Sequence, residues 1–198
     1  MTDLAQPSEL DGALRRAQAG DETAFGVLWA VLQPTLLRFL RSRGVTSPED
    51  VASETWLAVI KGLRTFQGDA DAFRAWLFTI GRHRAIDALR AEQRRPLLTQ
   101  GLVAVPEQPS SADTEGEVLE RLSLTTALAL IASLPEEQRE AVALRAVAGL
   151  DVATTARILG KSQGSVRVAA HRGLKALATT LGSHVTQDVT PARPETVT

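Results

Sequence analysis

Apolar residues recur along this chain every three or four positions, and no run of alternating apolar and polar residues is bounded by turn residues. That rhythm predicts helices and no strands, an all-α protein. A first helical stretch covers about 10–42, with Pro34 expected to break or kink it and Gly44 to close it as a C-terminal cap. Ser47-Pro48-Glu49-Asp50 is a start signal, with serine at the N-cap, proline at the first helical position and acids in the first turn. The helix it opens carries Val51, Trp56, Leu57, Val59 and Ile60 and fades at Gly62. A short loop over 65–71 contains Gly68 and two aspartates. A long helix then covers about 72–92, with Phe73, Trp76, Leu77, Ile80 and Leu89 at helical spacing and Arg90, Arg94 and Arg95 at its end, where the helix dipole favours cations.

The pattern breaks over 96–119, where Pro96, Pro106, Pro109, Ser110, Ser111, Gly116 and several acids predict a flexible acidic linker. Helical spacing returns near Val118. Leu134-Pro135-Glu136-Glu137 marks another helix start and Gly149 its stop. Residues 182–198, rich in threonine and proline, are expected to form a disordered tail. The predicted organisation is two small helical domains, 10–95 and 120–181, of about 86 and 62 residues, each able to close a core of its own.

Composition removes several function classes. With no cysteine, disulfides, thiolate metal sites and cysteine nucleophiles are excluded. The opening MTDLAQPSEL lacks a basic stretch followed by an apolar one, and the apolar runs are too short to span a bilayer. A cytoplasmic protein without membrane insertion is expected. His83, His171 and His184 have no metal-ligand spacing, and there is no Gly-rich phosphate loop or nucleophile motif, so neither an enzyme nor a cofactor is expected.

The net charge of −1 argues against simple nucleic-acid binding, but its distribution does not. Residues 97–122 carry one basic and five acidic residues, whereas no acid stands between Asp151 and Asp188. That interval holds Arg157, Lys161, Arg167, Arg172 and Lys175, a local field suited to phosphate. Within it, Asp151 is placed to cap a helix of two turns and Ala156 is small where two helices approach. Gly160 supplies a tight turn, Ser162 caps a second helix and Val166 faces back to the core. This is the spacing of a helix-turn-helix, whose second helix enters the major groove. From Gln163 to about Thr180 that helix presents Ser165, Arg167, His171, Arg172 and Lys175, side chains that bond phosphates or base edges.

At this point both halves resemble one family. SLPEEQREAVALRAVAGLDVATTARILGKSQGSVRVAAHRGLKAL resembles the C-terminal domain, region 4, of extracytoplasmic-function sigma factors of bacterial RNA polymerase. AQAGDETAFGVLWAVLQPTLLRFLR and SPEDVASETWLAVIKGLRTFQGDADAFRAWLFTIGRHRAIDALRAEQRR resemble their region 2. The likeness covers about 150 residues in the family's order, with the linker in the right place.

The resemblance implies roles for matching positions. Glu49, Asp50 and Glu54 lie on the helix that would dock on a coiled coil of the largest subunit, β′, of core RNA polymerase, with β as a further contact. Asp50 and Glu54, four apart, share a helix face. The loop with Phe66, Gly68 and Asp69 resembles one that captures a flipped-out base of the −10 element, and Trp76, Arg82, His83 and Arg84 follow on the next helix. Trp76 also falls on that helix's apolar stripe. Lys161, Ser162, Ser165, Arg167, His171, Arg172 and Lys175 would meet the −35 duplex. An anti-sigma factor is a further partner that the family suggests. Three departures from the family's usual residues stand out: His83 for asparagine, Ser53 for glutamine, and Val168-Ala169-Ala170 for serine-arginine-leucine. They imply an altered −10 preference and a weak or unusual −35 contact. The rival readings are a stand-alone helix-turn-helix regulator, a helical hydrolase and a protein-binding adaptor; the first explains 150–178 but not 47–95.

Overall fold

A computed structural model of the protein describes residues 7–94 and 115–187, with side chains at 9–94 and 123–181. Every regular element among these residues is helical. Four helices make the first group: α1 (Pro7–Gln18), α2 (Glu22–Ser42), α3 (Pro48–Leu63) and α4 (Ala70–Arg94). The second group is α5 (Glu115–Ala132), α6 (Glu136–Val142), a π turn (Ala143–Val147), α7 (Val152–Leu159) and α8 (Gln163–Gln187).

The stretch expected to be one helix over 10–42 is two. Gly20 adopts φ +98°, and Asp21 caps α2 by accepting a hydrogen bond from the Ala24 amide at 3.0 Å. The break comes there and not at Pro34, through which α2 continues. Pro34 and Ala30 are both exposed, so water can take the Ala30 carbonyl that loses its amide donor. Gly44, at φ +77°, closes α2 as expected, its amide bonding the Arg41 carbonyl at 2.9 Å. Ser47 stands at the start of α3 but makes no side-chain cap bond. Two boundaries also move. The last five residues assigned to the linker, 115–119, belong to α5, and 182–187 of the expected tail continue α8. The rest of the linker, 96–114, and of the tail, 188–198, lies outside the described residues.

The apolar stripe of α2, from Leu28 through Leu32 and Leu36 to Phe39 and Leu40, is the centre of the core. By length and composition α2 could cross a membrane, but this stripe is buried against α1, α3 and α4. Phe39 meets Phe78 of α4 edge to face at 5.3 Å, and Phe25 meets Trp56 of α3 at 5.7 Å. The Trp56 indole donates to Gln33 Oε1 at 2.7 Å, which satisfies its N–H inside the bundle. Gly81 lets α4 approach closely, since a Cβ there would lie 3.0 Å from Leu36 Cδ1.

The second group packs on the first. Ala143, Leu144, Ala148 and Leu150 belong to the same buried cluster as Phe39 and Phe78, while Leu128, Ile131, Leu134 and Val142 form a smaller cluster. Within the second group α6 and α8 cross tightly at Gly173, where a Cβ would stand 2.7 Å from Val142 Cγ2. The π turn is closed by the Ala148 amide bonding the Ala143 carbonyl at 2.9 Å.

Candidate nucleic-acid interface

The helix-turn-helix forms where local chemistry predicts it. Asp151 accepts from the Thr154 amide at 2.9 Å and from its hydroxyl at 2.7 Å, which starts α7. Gly160 ends α7 in the left-handed region at φ +63°. Ser162 then accepts from the Ser165 amide at 3.1 Å and starts α8. Ala156, Val166, Ala170 and Gly173 face inward, while Ser165, Arg167, His171, Arg172 and Lys175 are exposed on α8. The structure thus brings five of the seven residues expected at a duplex onto one outward surface. The other two carry further duties. Ser162 is occupied as the cap, with its oxygen 2.9 Å from the Ser165 hydroxyl, and Lys161 is ion-paired with Glu137 of α6.

The Thr154 amide and then its hydroxyl hold the Asp151 carboxyl below the usual aspartate range. A lowered folded value makes the cap's contribution complete above the unfolded value of about 3.9 and removes it as pH falls through the folded one. Asp151→Ala is therefore expected to cost about 1 kcal/mol at pH 7. Urea melts should show this difference at neutral pH and lose it once the pH is below the ordinary aspartate range; a gap that stays constant would exclude the charged cap as its source.

In the first group the aromatic loop is built more tightly than its sequence suggested. Phe66 stacks on Trp76 with ring centroids 5.0 Å apart and meets Phe73 edge to face at 5.6 Å. Trp76 is half-buried and lies over Gly62, where a Cβ would come within 2.8 Å of its ring. Gly68, at φ +145°, turns the chain, and Asp69 caps α4 by accepting from the Ala72 amide at 2.8 Å. Two residues of α1 hold this loop, and sequence reasoning missed both. Gln18 donates to the carbonyls of Leu63 at 3.2 Å and Phe66 at 2.7 Å, and Asp11 accepts from the Ala70 amide at 2.6 Å. Nothing local marks a polar residue on an amphipathic helix as a brace for a loop some fifty positions on.

His83 and Arg84 are exposed on α4, one helical turn and more beyond Trp76. Arg82 is not free: its Nε donates to Glu140 Oε2 of α6 at 3.0 Å. Arg74 packs at the same seam, with Gly149 so close that a Cβ there would lie 3.0 Å from Arg74 Nη2. Burial pushes the Arg74 guanidinium below its ordinary value, opposed by Asp71.

On α3, Asp50, Ser53, Glu54, Leu57 and Ile60 fall on one exposed stripe at helical spacing. Glu49 is turned aside into an ion pair with Arg41 at 2.7 Å. The stripe adds what charge alone did not indicate, since Leu57 is 58% and Ile60 51% exposed. Their exposure could have been read from the sequence, because Val51, Thr55, Trp56, Val59 and Leu63 already complete the inward face. No cluster of histidine or carboxylate side chains suited to a metal ion occurs among the described residues.

Comparison with known proteins finds matches to both helix groups. The Sigma-70 region 2 model matches residues 28–95 and the Sigma-70, region 4 model matches residues 124–177. The chain is similar to the ECF RNA polymerase sigma factor ShbA of Streptomyces griseus, 39% identical with 84% of this chain and 92% of that one covered. It is 35% identical to the ECF RNA polymerase sigma factor BldN of Streptomyces coelicolor over 89% of its own length and 66% of BldN's. Among solved structures it resembles CnrH in complex with the cytosolic domain of CnrY, with TM-score 0.63, 27% identity, and 88% of this chain and 98% of that one covered.

Proposed function

Because the chain belongs to the extracytoplasmic-function group of the sigma-70 family of RNA polymerase sigma factors, we propose that it is a promoter-specificity subunit of bacterial RNA polymerase, non-enzymatic and cytoplasmic. In this reading the α3 stripe of Asp50, Glu54, Leu57 and Ile60 docks on the β′ coiled coil. The loop around Phe66, Gly68 and Asp69, with Trp76, Arg82, His83 and Arg84 of α4, holds the displaced strand of the −10 element. Arg167, His171, Arg172 and Lys175 of α8 meet the −35 duplex, with Ser165 near the helix start. The segment between the two groups threads toward the polymerase's RNA exit path, and an anti-sigma factor is a regulatory partner.

The observation that carries this reading is the acid-free exposed surface of α8, set in place by three caps at Asp151, Gly160 and Ser162. Arginines on such a helix bond phosphates and guanine edges. With a net charge near zero, the free chain gains little affinity from counterion release and is expected to depend on the polymerase for tight promoter binding. A stand-alone regulator would use α7 and α8 but leave the region 2 half without a role.

Run-off transcription with purified core RNA polymerase on pooled genomic fragments tests the proposal. Promoter-specific transcripts are expected only when the protein is added, and their start sites define both elements. A specific duplex shifted by the protein alone, with no transcript in any reaction, would replace this reading with the regulator.

A further inference from the structure

The seam between the two helix groups contains an unusual charge arrangement. Glu140, only 4% exposed, sits between two arginines of the first group. Its Oε2 accepts from Arg82 Nε at 3.0 Å, and its Oε1 lies 2.8 Å from Arg43 Nη1. Arg43, at the end of α2, is 1% exposed, and one carboxylate therefore serves two cations. The Arg43 contact is an ion pair without hydrogen-bond alignment, and Arg43 Nε has no hydrogen-bond partner. Burial depresses the Arg43 guanidinium, opposed by Glu140. Such a cluster is costly to break by removing one member yet adds little net stability, because desolvation offsets most of the attraction.

We propose that this triad is a latch: Glu140 holds the second helix group over α4 in the free chain, and a nucleic-acid phosphate opens the molecule by taking Arg82 from it. The inference rests on the reading of α4 as a strand-binding helix, because it makes Arg82 a ligand shared by two anions. Closure occupies Arg82, seats Arg74 against Gly149 and brings α7 against α4, while His83 and Arg84 stay outside as a first landing point for DNA. A phosphate oxygen offers Arg82 a charge-assisted bond as good as the one it leaves. Opening also returns Arg43 and Glu140 to water, which satisfies the polar atoms of both that lack hydrogen-bond partners in the closed chain. The apolar contacts of Leu144 and Leu150 keep the latch closed until that exchange.

The chain is suited to a direct test because it contains no cysteine. Dyes on Thr23→Cys and Ala153→Cys, both exposed positions on opposite groups, report their separation by energy transfer. Glu140→Gln is expected to shift the population to longer distances and to raise the free chain's affinity for a labelled single-stranded oligodeoxynucleotide about tenfold. Arg82→Gln should open the chain without that gain. An unchanged distance distribution in a Glu140→Gln chain with wild-type helicity would overturn the latch, and opening with unchanged affinity would overturn the competition for Arg82. If Glu140→Gln does not fold, a covalent lock decides. A Cβ at residue 44 would lie 3.7 Å from that of Ala132, within disulfide range, and because φ there is +77° the reduced double variant must first show wild-type helicity. Oxidised Gly44→Cys/Ala132→Cys should lose oligonucleotide binding and regain it on reduction; equal binding in both states overturns the proposal. Run-off transcription by the wild type is read separately, so an absent transcript with an intact latch refutes the sigma reading alone.

Discussion

Alanine at both Leu57 and Ile60 is expected to weaken the complex with core RNA polymerase about a hundredfold and to leave the stability of the free chain nearly unchanged. The two side chains are more than half exposed, so their truncation removes little buried area from the fold, and surface changes of this kind stay within about 0.5 kcal/mol. At an interface the same side chains lie between Glu54 and Lys61 on the stripe that Asp50 begins. Apolar anchors ringed by charge carry most of the affinity in such arrangements, each truncation costing over about 1 kcal/mol. The acids govern encounter rate and salt dependence more than residence time. Titration of labelled polymerase, with thermal unfolding alongside, separates the two effects. An affinity within about threefold of wild type would move the polymerase contact off this face of α3.

Phe39→Ala should have the largest effect on the fold, a loss of about 3–5 kcal/mol. Phe39 has no solvent exposure, and its ring sits against Phe78 at the junction of α2 and α4. The same buried cluster takes in Leu144 and Leu150 from the second group, so the void would open beneath the seam as well. Domains of this size hold only about 5–15 kcal/mol of stability in all. The expected loss is therefore a large fraction of it, and the midpoint of thermal unfolding should fall by about 10 °C or more. A fall of only a few degrees would mean that neighbouring leucines collapse into the space.

The sequence was most informative where the physics is local. Each N-cap of the helix-turn-helix is a residue acting on an amide three positions away, as with Asp151 and Thr154 or Ser162 and Ser165. Gly44 and Gly160 mark left-handed positions that other residues adopt only at a cost. The split between α1 and α2 was also written in Gly20-Asp21, but the apolar rhythm continues across it and hides the break. What could not be read is what the tertiary fold creates. Arg43 and Glu140 stand far apart in sequence and look like surface charges, yet both are buried at one seam. The resemblance places Arg82 at DNA, and nothing near it in the sequence marks an acid arriving from another helix group. The π turn at Ala143–Val147 leaves no mark in an alanine-rich stretch that suits an ordinary helix equally well.

The unit of resemblance and the unit of folding are not the same piece of chain. The Sigma-70 region 2 model matches from residue 28, whereas Ala13, Leu14 and Ala17 of α1 are core residues and Gln18 and Asp11 fasten the aromatic loop. A fragment cut at residue 28 would keep the aromatic loop and discard the scaffold that shapes it. Substitutions on α1 are therefore expected to reshape the aromatic loop without altering any residue of the loop itself.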